Sequence, residues 1–289
     1  MKHLKLNKGI LETIIIVSLM QFSSLVLADD APEGSPKYLS DQAWEVNLRK
    51  QNFQDREIIA GAEQNILQIK APFRAEDAAI VPVSVHTKIP QTEDRYIKKI
   101  HVYIDNNPLP LVGQFEFTPD SGKADIAFRV RVNASSYIRA IAELSTGELY
   151  MSKSFVQAKG ACSAPPPASM AESVKSLGKM KMKVVGLVKM GKPNLMQVKI
   201  RHPNLTGLAP LKAGSSIIPP AFYVDTFEVV YNDKPIVKAT LTYAISMDPT
   251  LRFYFLPEKE GELIVTGTDT EAGKFSSTHM INVWKPATS

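Results

Sequence analysis

Apolar and polar positions alternate with a period of two along most of the chain. Ile100, Val102 and Ile104 share one face, with Lys99, His101 and Tyr103 on the other. Ile126, Phe128, Val130 and Val132 are set against Asp125, Arg129 and Arg131, and Phe115 and Phe117 follow the same rule. Tyr137 to Leu144 and Leu149 to Val156 read as two strands joined by the turn Ser145-Thr146-Gly147-Glu148. The alternation predicts antiparallel strands with one buried and one wet face.

The pattern returns in the second half. Lys181 to Val185 opens it, and Met196, Val198 and Ile200 alternate with Gln197, Lys199 and Arg201. Phe227, Val229 and Tyr231 share a face before the turn Asn232-Asp233-Lys234-Pro235, and Leu251, Phe253 and Phe255 alternate with Arg252 and Tyr254. Leu263 to Thr266 and the turn Ala272-Gly273-Lys274 complete the set. Short strands with regular turn signals predict an all-β fold: two immunoglobulin-like antiparallel β-sandwiches in tandem. A short N-terminal helix precedes them, with Ser40 as N-cap and Asp41, Trp44 and Leu48 at helical spacing. Trp44 reads as a packing anchor.

The first residues carry a different signal. Lys2, Lys5 and Lys8 precede an apolar run that ends at Val26-Leu27-Ala28, a small-residue cleavage pattern. Residues 1–28 therefore read as a signal peptide, and the expected location is the periplasm. The remaining organisation is a sandwich over 40–157, a proline-rich linker over 158–176 and a second sandwich over 177–289. Without the signal, 31 Lys and Arg face 28 Asp and Glu, interspersed rather than clustered. No basic stripe interleaves with aromatic residues, which argues against nucleic acid as a partner. No dinucleotide fingerprint, phosphate loop, zinc-ligand spacing or nucleophile elbow occurs, and no cofactor is expected. Met180, Met182, Met190 and Met196 are of the type that binds Cu(I), but an inward strand face explains Met180 and Met182 equally well.

The chain has one cysteine, Cys162, in Lys159-Gly160-Ala161-Cys162-Ser163-Ala164-Pro165-Pro166-Pro167. In an oxidising compartment a thiol without a mate points to reactivity or an intermolecular bond. Gly160, Ala161 and Ser163 flank it, and so small a set of neighbours predicts an exposed thiol on a spacer tethered at both ends, the alternative being a buried apolar cysteine. Without Cys-x-x-Cys, no internal resolution of a disulfide is available. The five histidines, His3, His86, His101, His202 and His279, give no sequence signal for a base beside it. Catalysis by the chain itself is the least favoured reading.

An ordered set of short motifs resembles a known family. Asp55-Arg56-Glu57-Ile58, Ala71-Pro72-Phe73-Arg74-Ala75-Glu76-Asp77, Val81-Pro82-Val83, Asp105-Asn106-Asn107-Pro108 and the closing Gly160-x-Cys162 resemble SoxY. His202-Pro203, Thr206-Gly207, Ile218-Pro219-Pro220, Asn232-Asp233-Lys234-Pro235, Ser246-Met247-Asp248-Pro249 and Gly261-Glu262 resemble SoxZ. Together they cover about residues 40 to 284 and resemble a SoxY–SoxZ fusion of the quinoprotein dehydrogenase-associated SoxYZ-like carriers. The resemblance implies a carrier without its own active site. Its cysteine, here Cys162, would hold intermediates of sulfur and thiosulfate oxidation covalently for partner enzymes. The family's cysteine lies in a free glycine-rich arm, whereas here Ser163-Ala164-Pro165 and a second domain follow it. A non-covalent docking module for a periplasmic quinoprotein dehydrogenase or its cytochrome c is the alternative.

Overall fold

The computed structural model describes residues 31–167 and 169–282; the expected signal peptide lies outside them. The order is α1 (Pro36–Ala43), a π-helical turn (Trp44–Leu48), α2 (Arg49–Phe53), then β1 (Ile58–Ala60), β2 (Leu67–Lys70), β3 (Val81–Thr87), β4 (Ile97–Ile104), β5 (Leu111–Phe117), β6 (Ile126–Val130), β7 (Ala134–Leu144) and β8 (Leu149–Lys159). After the linker come α3 (Met170–Lys175), β9 (Met180–Val184), β10 (Asn194–Ile200), β11 (Val224–Tyr231), β12 (Lys234–Leu241), β13 (Thr250–Phe255), β14 (Gly261–Asp269) and β15 (Lys274–Ile281).

The fold is all-β, as the alternation predicts, and the two halves share their sheets. One sheet has nine strands in the order β1-β8-β7-β4-β5-β12-β11-β14-β15, and the other six in the order β2-β3-β6-β13-β10-β9. The seam lies at β5–β12, where Phe117 faces Val237 and Gly113 faces Leu241, and at β6–β13, where Ala127 faces Arg252. One cluster of buried side chains draws on both sheets and both halves, including Val85, Phe115, Phe128, Phe227, Phe253 and Val265. Burial of this continuous apolar layer is what favours the double layer over two separate lobes.

The helical segment changes one expectation. The alternation places His101 and Tyr103 on the wet face of β4, yet both are buried. Trp44 and Phe53 lie over that face, with ring centroids of Trp44 and Tyr103 5.8 Å apart and those of Phe53 and His101 5.2 Å apart. Trp44 is fully buried, in keeping with its reading as an anchor. Ser40 is not the N-cap. That role belongs to Ser35, whose Oγ accepts from the Tyr38 N–H at 3.3 Å. Ser40 instead lies inside α1 and turns its hydroxyl into the core, donating to Asp105 Oδ2 at 2.7 Å. Asp105 is also held by Arg139 Nε at 2.8 and 3.0 Å, and Arg139 reaches Asp41 of the helix. A buried polar knot therefore docks α1 onto β7.

Candidate functional site: the cysteine arm at the seam

Cys162 lies three residues past the end of β8, where the chain turns away from the sheet. Gly160 makes this possible, with φ at +76°, a conformation that costs a side-chain-bearing residue extra energy. The Gly160 N–H donates to the Asn133 carbonyl at 2.6 Å, and the Cys162 N–H donates to Asn133 Oδ1 at 3.2 Å. Asn133 is in turn fixed by Asn107, whose Oδ1 accepts the Asn133 N–H at 2.8 Å while its Nδ2 donates to the Arg131 carbonyl at 2.8 Å. Beyond Cys162 the chain surfaces, with Ser163, Ala164 and Pro165 exposed.

The second half closes over the arm. Thr206 Oγ1 donates to the Cys162 carbonyl at 2.8 Å. The Thr206 loop is shaped by Gly207, where a Cβ would stand 2.9 Å from the Ala221 nitrogen. Asn204 Nδ2 donates to the Ile245 carbonyl at 3.2 Å, and Ser246 Oγ crosses the seam to donate to the Ala79 carbonyl at 2.7 Å. Past the arm, Ser173 on α3 donates to Asp248 Oδ1 at 2.7 Å, which ties the linker's far end to the second half.

The expectation of an exposed thiol is overturned: Cys162 is 1% exposed. Its immediate neighbours are indeed small. The cover comes from segments distant in sequence, which the composition of the linker does not reveal. Burial pushes the thiol up to about 11, with the Arg131 charge opposing the rise. At neutral pH the parked sulfur is a neutral thiol and a poor nucleophile.

A cavity of about 420 Å³ adjoins the arm. Ala161, Ala164 and Pro165 to Pro167 form one wall, and Asp77, Asn204, Thr206 and Met247 contribute to the others. Asp77, Thr206 and Met247 belong to the SoxY-like and SoxZ-like motifs, so motifs scattered over the sequence converge here. Arg131, 8% exposed, also lines it. The alternation places Arg131 only on a polar strand face; the signal that distinguishes it is spatial. Its Nη1 donates to the carbonyls of Tyr243 and Ile245 at 2.8 and 2.5 Å, joining the halves.

The histidines lie in other settings. His86 bonds Asp125 through Nδ1 at 3.0 Å, and His101 is buried against Phe53 with neither ring nitrogen hydrogen-bonded. His202 is buried, its Nδ1 accepting the Asn204 N–H at 3.1 Å and its Nε2 3.5 Å from Asp269. Met196 is buried on β10, while Met180 and Met182 pack against the core from β9. Among the described residues no group of three or more His, Cys, Asp or Glu could hold a metal.

Sequence models of two families match the chain. The one described as Sulfur oxidation protein SoxY covers residues 49–162 and ends on Cys162; the one described as Sulphur oxidation protein SoxZ covers 182–280. These domains and the arm between them define a carrier of the sulfur-oxidation type. The chain belongs to the SoxY and SoxZ families, as a fusion with the SoxY domain first. Among solved structures, the sulfur carrier protein SoxY from Chlorobium limicola f thiosulfatophilum is 26% identical, with 42% of this chain and 95% of that one covered at a TM-score of 0.34. A superoxide reductase (neelaredoxin) from Ignicoccus hospitalis is 19% identical, with 34% and 85% covered at a TM-score of 0.30. One from Archaeoglobus fulgidus, the E12Q mutant, is 17% identical, with 38% and 93% covered at 0.28. A comparison with curated proteins found no match.

Proposed function

We propose that the protein is a periplasmic carrier that holds a sulfur intermediate covalently on Cys162 and presents it to partner redox enzymes. The observation that carries this is the position of the single thiol. It stands where the SoxY match ends, on a segment anchored by a handful of hydrogen bonds beside a cavity at the seam. The charged step joins the Cys162 thiolate and a sulfur anion such as thiosulfate in an S–S bond. Two electrons leave to a redox partner of the cytochrome class.

The buried thiol is the resting state in this reading. Breaking the bonds to Asn133 and Thr206 releases the arm as a loop held at both ends, so it reaches shallow partner sites rather than deep tunnels. Parking protects a labile sulfur group from stray thiols. Gly160 supplies the hinge, Ala161 and Ser163 the small flanks.

Burial of the thiol also favours a second reading, a docking module for a quinoprotein dehydrogenase or its cytochrome c with Cys162 incidental. A groove of about 690 Å³ on the six-stranded sheet suits an acidic partner, being lined in part by Lys70, Arg129, Lys199 and Arg252. Intact mass of the full chain purified from its native compartment separates the two. A sulfur adduct that Cys162→Ser abolishes supports carriage. A bare thiol, with physiological activity unchanged in Cys162→Ser, leaves docking.

A further inference from the structure

Arg131 is a buried cation without a counter-charge. No carboxylate lies within salt-bridge distance of it among the described residues, and only Nη1 of its guanidinium has hydrogen-bond partners there. Nε and Nη2 remain without a protein acceptor, and the side chain lines the 420 Å³ cavity beside the arm. A buried charge left in this condition is costly unless something pairs with it. Burial lowers the Arg131 pKa to about 10; only a Cys162 thiolate would raise it again, and at neutral pH that sulfur is a neutral thiol. The remaining carboxylate on the cavity wall, Asp77, is exposed and caps the Ala79 N–H at 2.8 Å.

We propose that this cavity is a seat for a sulfur oxyanion, with the free nitrogens of Arg131 as its charged donors. A guanidinium in apolar surroundings matches a tetrahedral oxyanion in charge and in its paired donors. Pro165 to Pro167 and Ala209 make part of the wall apolar, which strengthens the attraction. The occupant is either a free ion such as thiosulfate or the sulfonate end of a group attached to Cys162. The second source rests on the covalent reading above; the first does not.

The experiment is calorimetric titration of the full chain with sodium thiosulfate against a chloride background of equal ionic strength. Cys162→Ser should bind thiosulfate as tightly as the wild type, because the seat does not need the thiol. Arg131→Gln should weaken binding at least tenfold. That variant also loses the bonds to Tyr243 and Ile245, so Ala164→Trp, which fills the cavity from an exposed position, should weaken binding similarly while melting like the wild type. The attached source is tested by loading the wild type with tetrathionate. The Cys162 thiolate attacks an inner sulfur, the central S–S bond breaks, and thiosulfate leaves with the electron pair, giving Cys–S–SSO₃⁻ with no further oxidant. Loaded protein should no longer take up free thiosulfate. Retained uptake assigns the seat to the free ion and overturns the attached head. No uptake by Cys162→Ser above the chloride background, or undiminished affinity in Ala164→Trp, overturns the seat altogether, whatever the mass of the native protein shows.

Discussion

Thr206 Oγ1 and the Cys162 carbonyl, 2.8 Å apart, join a residue of the SoxZ domain to the arm of the SoxY domain. The bond makes the second half a latch on the thiol of the first. A neutral hydrogen bond of this kind contributes about 1 kcal/mol net, so removing it should raise the population of released arm roughly fivefold. Thr206→Val should therefore speed labelling of Cys162 by a disulfide reagent about fivefold at constant pH. Asn133→Ala should do likewise, and the wild type should label far more slowly than the urea-unfolded chain. A wild-type rate equal to that of the unfolded chain would show that the arm is not closed.

The thiol's raised pKa gives a stability signature. The unfolded thiol ionises near 9.0 and the folded one near 11, so the folded state holds its proton more tightly. The favourable contribution is complete below pH 9 and is lost as pH rises from 9 to 11. Two units correspond to about 3 kcal/mol. Urea unfolding of wild type and Cys162→Ser across that window should show the wild type losing stability by about this much relative to the variant. Parallel curves would contradict a thiol buried in the native state.

His101 behaves in the opposite sense. Burial, together with Lys99 and Arg56, lowers it to about 4, while Glu143 pulls the other way. The unfolded chain takes a proton near pH 6.5, the folded one only near 4, so stability is present above 6.5 and lost as pH falls through that window. The difference is about 3 kcal/mol. His101→Phe, which suits the edge contact with Phe53, should remove this part of the acid sensitivity. Burial also lowers His202, so the variant should retain some acid sensitivity.

Both of these groups show where sequence reading stops. The strands, the turn at Ser145 to Glu148 and the anchoring role of Trp44 were legible, because alternation and turn chemistry are local. The wet face assigned to His101 and Tyr103 failed, because Trp44 and Phe53 arrive from a helix more than forty residues upstream. Ser40 had the right chemistry for a cap, but a buried acid, Asp105, drew it inward while Ser35 stood one turn earlier. Cys162 stands out in the sequence as the lone thiol; its burial depends on contacts with segments such as those of Thr206 and Asn133, which no spacing rule connects to it. The SoxY-like and SoxZ-like motifs were the indirect sign, since Asp77, Thr206 and Met247 meet at one cavity.

Arg139 is 1% exposed and is held between Asp105 and Asp41, with Trp44 5.0 Å from its guanidinium carbon. Arg139→Met should cost about 3 kcal/mol, because Asp105 is left buried without its partner and must take up a proton or remain an unpaired charge. Adding Asp105→Asn should recover part of that loss. Chemical denaturation of the two single variants and the double variant measures the coupling. Strict additivity would show that the pair is not a unit.

The seam itself predicts how the protein responds to a cut arm. Five residue pairs of β5–β12, the pair of β6–β13 registers, the Lys234–Asp120 contact at 2.9 Å and the Arg131 bonds to Tyr243 and Ile245 all cross it. None depends on the linker being intact. With a protease site inserted between Ala164 and Pro165, both exposed, cleavage should leave the fragments co-eluting on size exclusion and unfolding in one transition. It should also convert a loop held at both ends into a free C-terminal arm, and Cys162 labelling should accelerate beyond the Thr206→Val rate. The latch bond survives the cut, so combining cleavage with Thr206→Val should release the thiol further still. Fragments that separate after cleavage would show that the two sheets are not continuous across the halves.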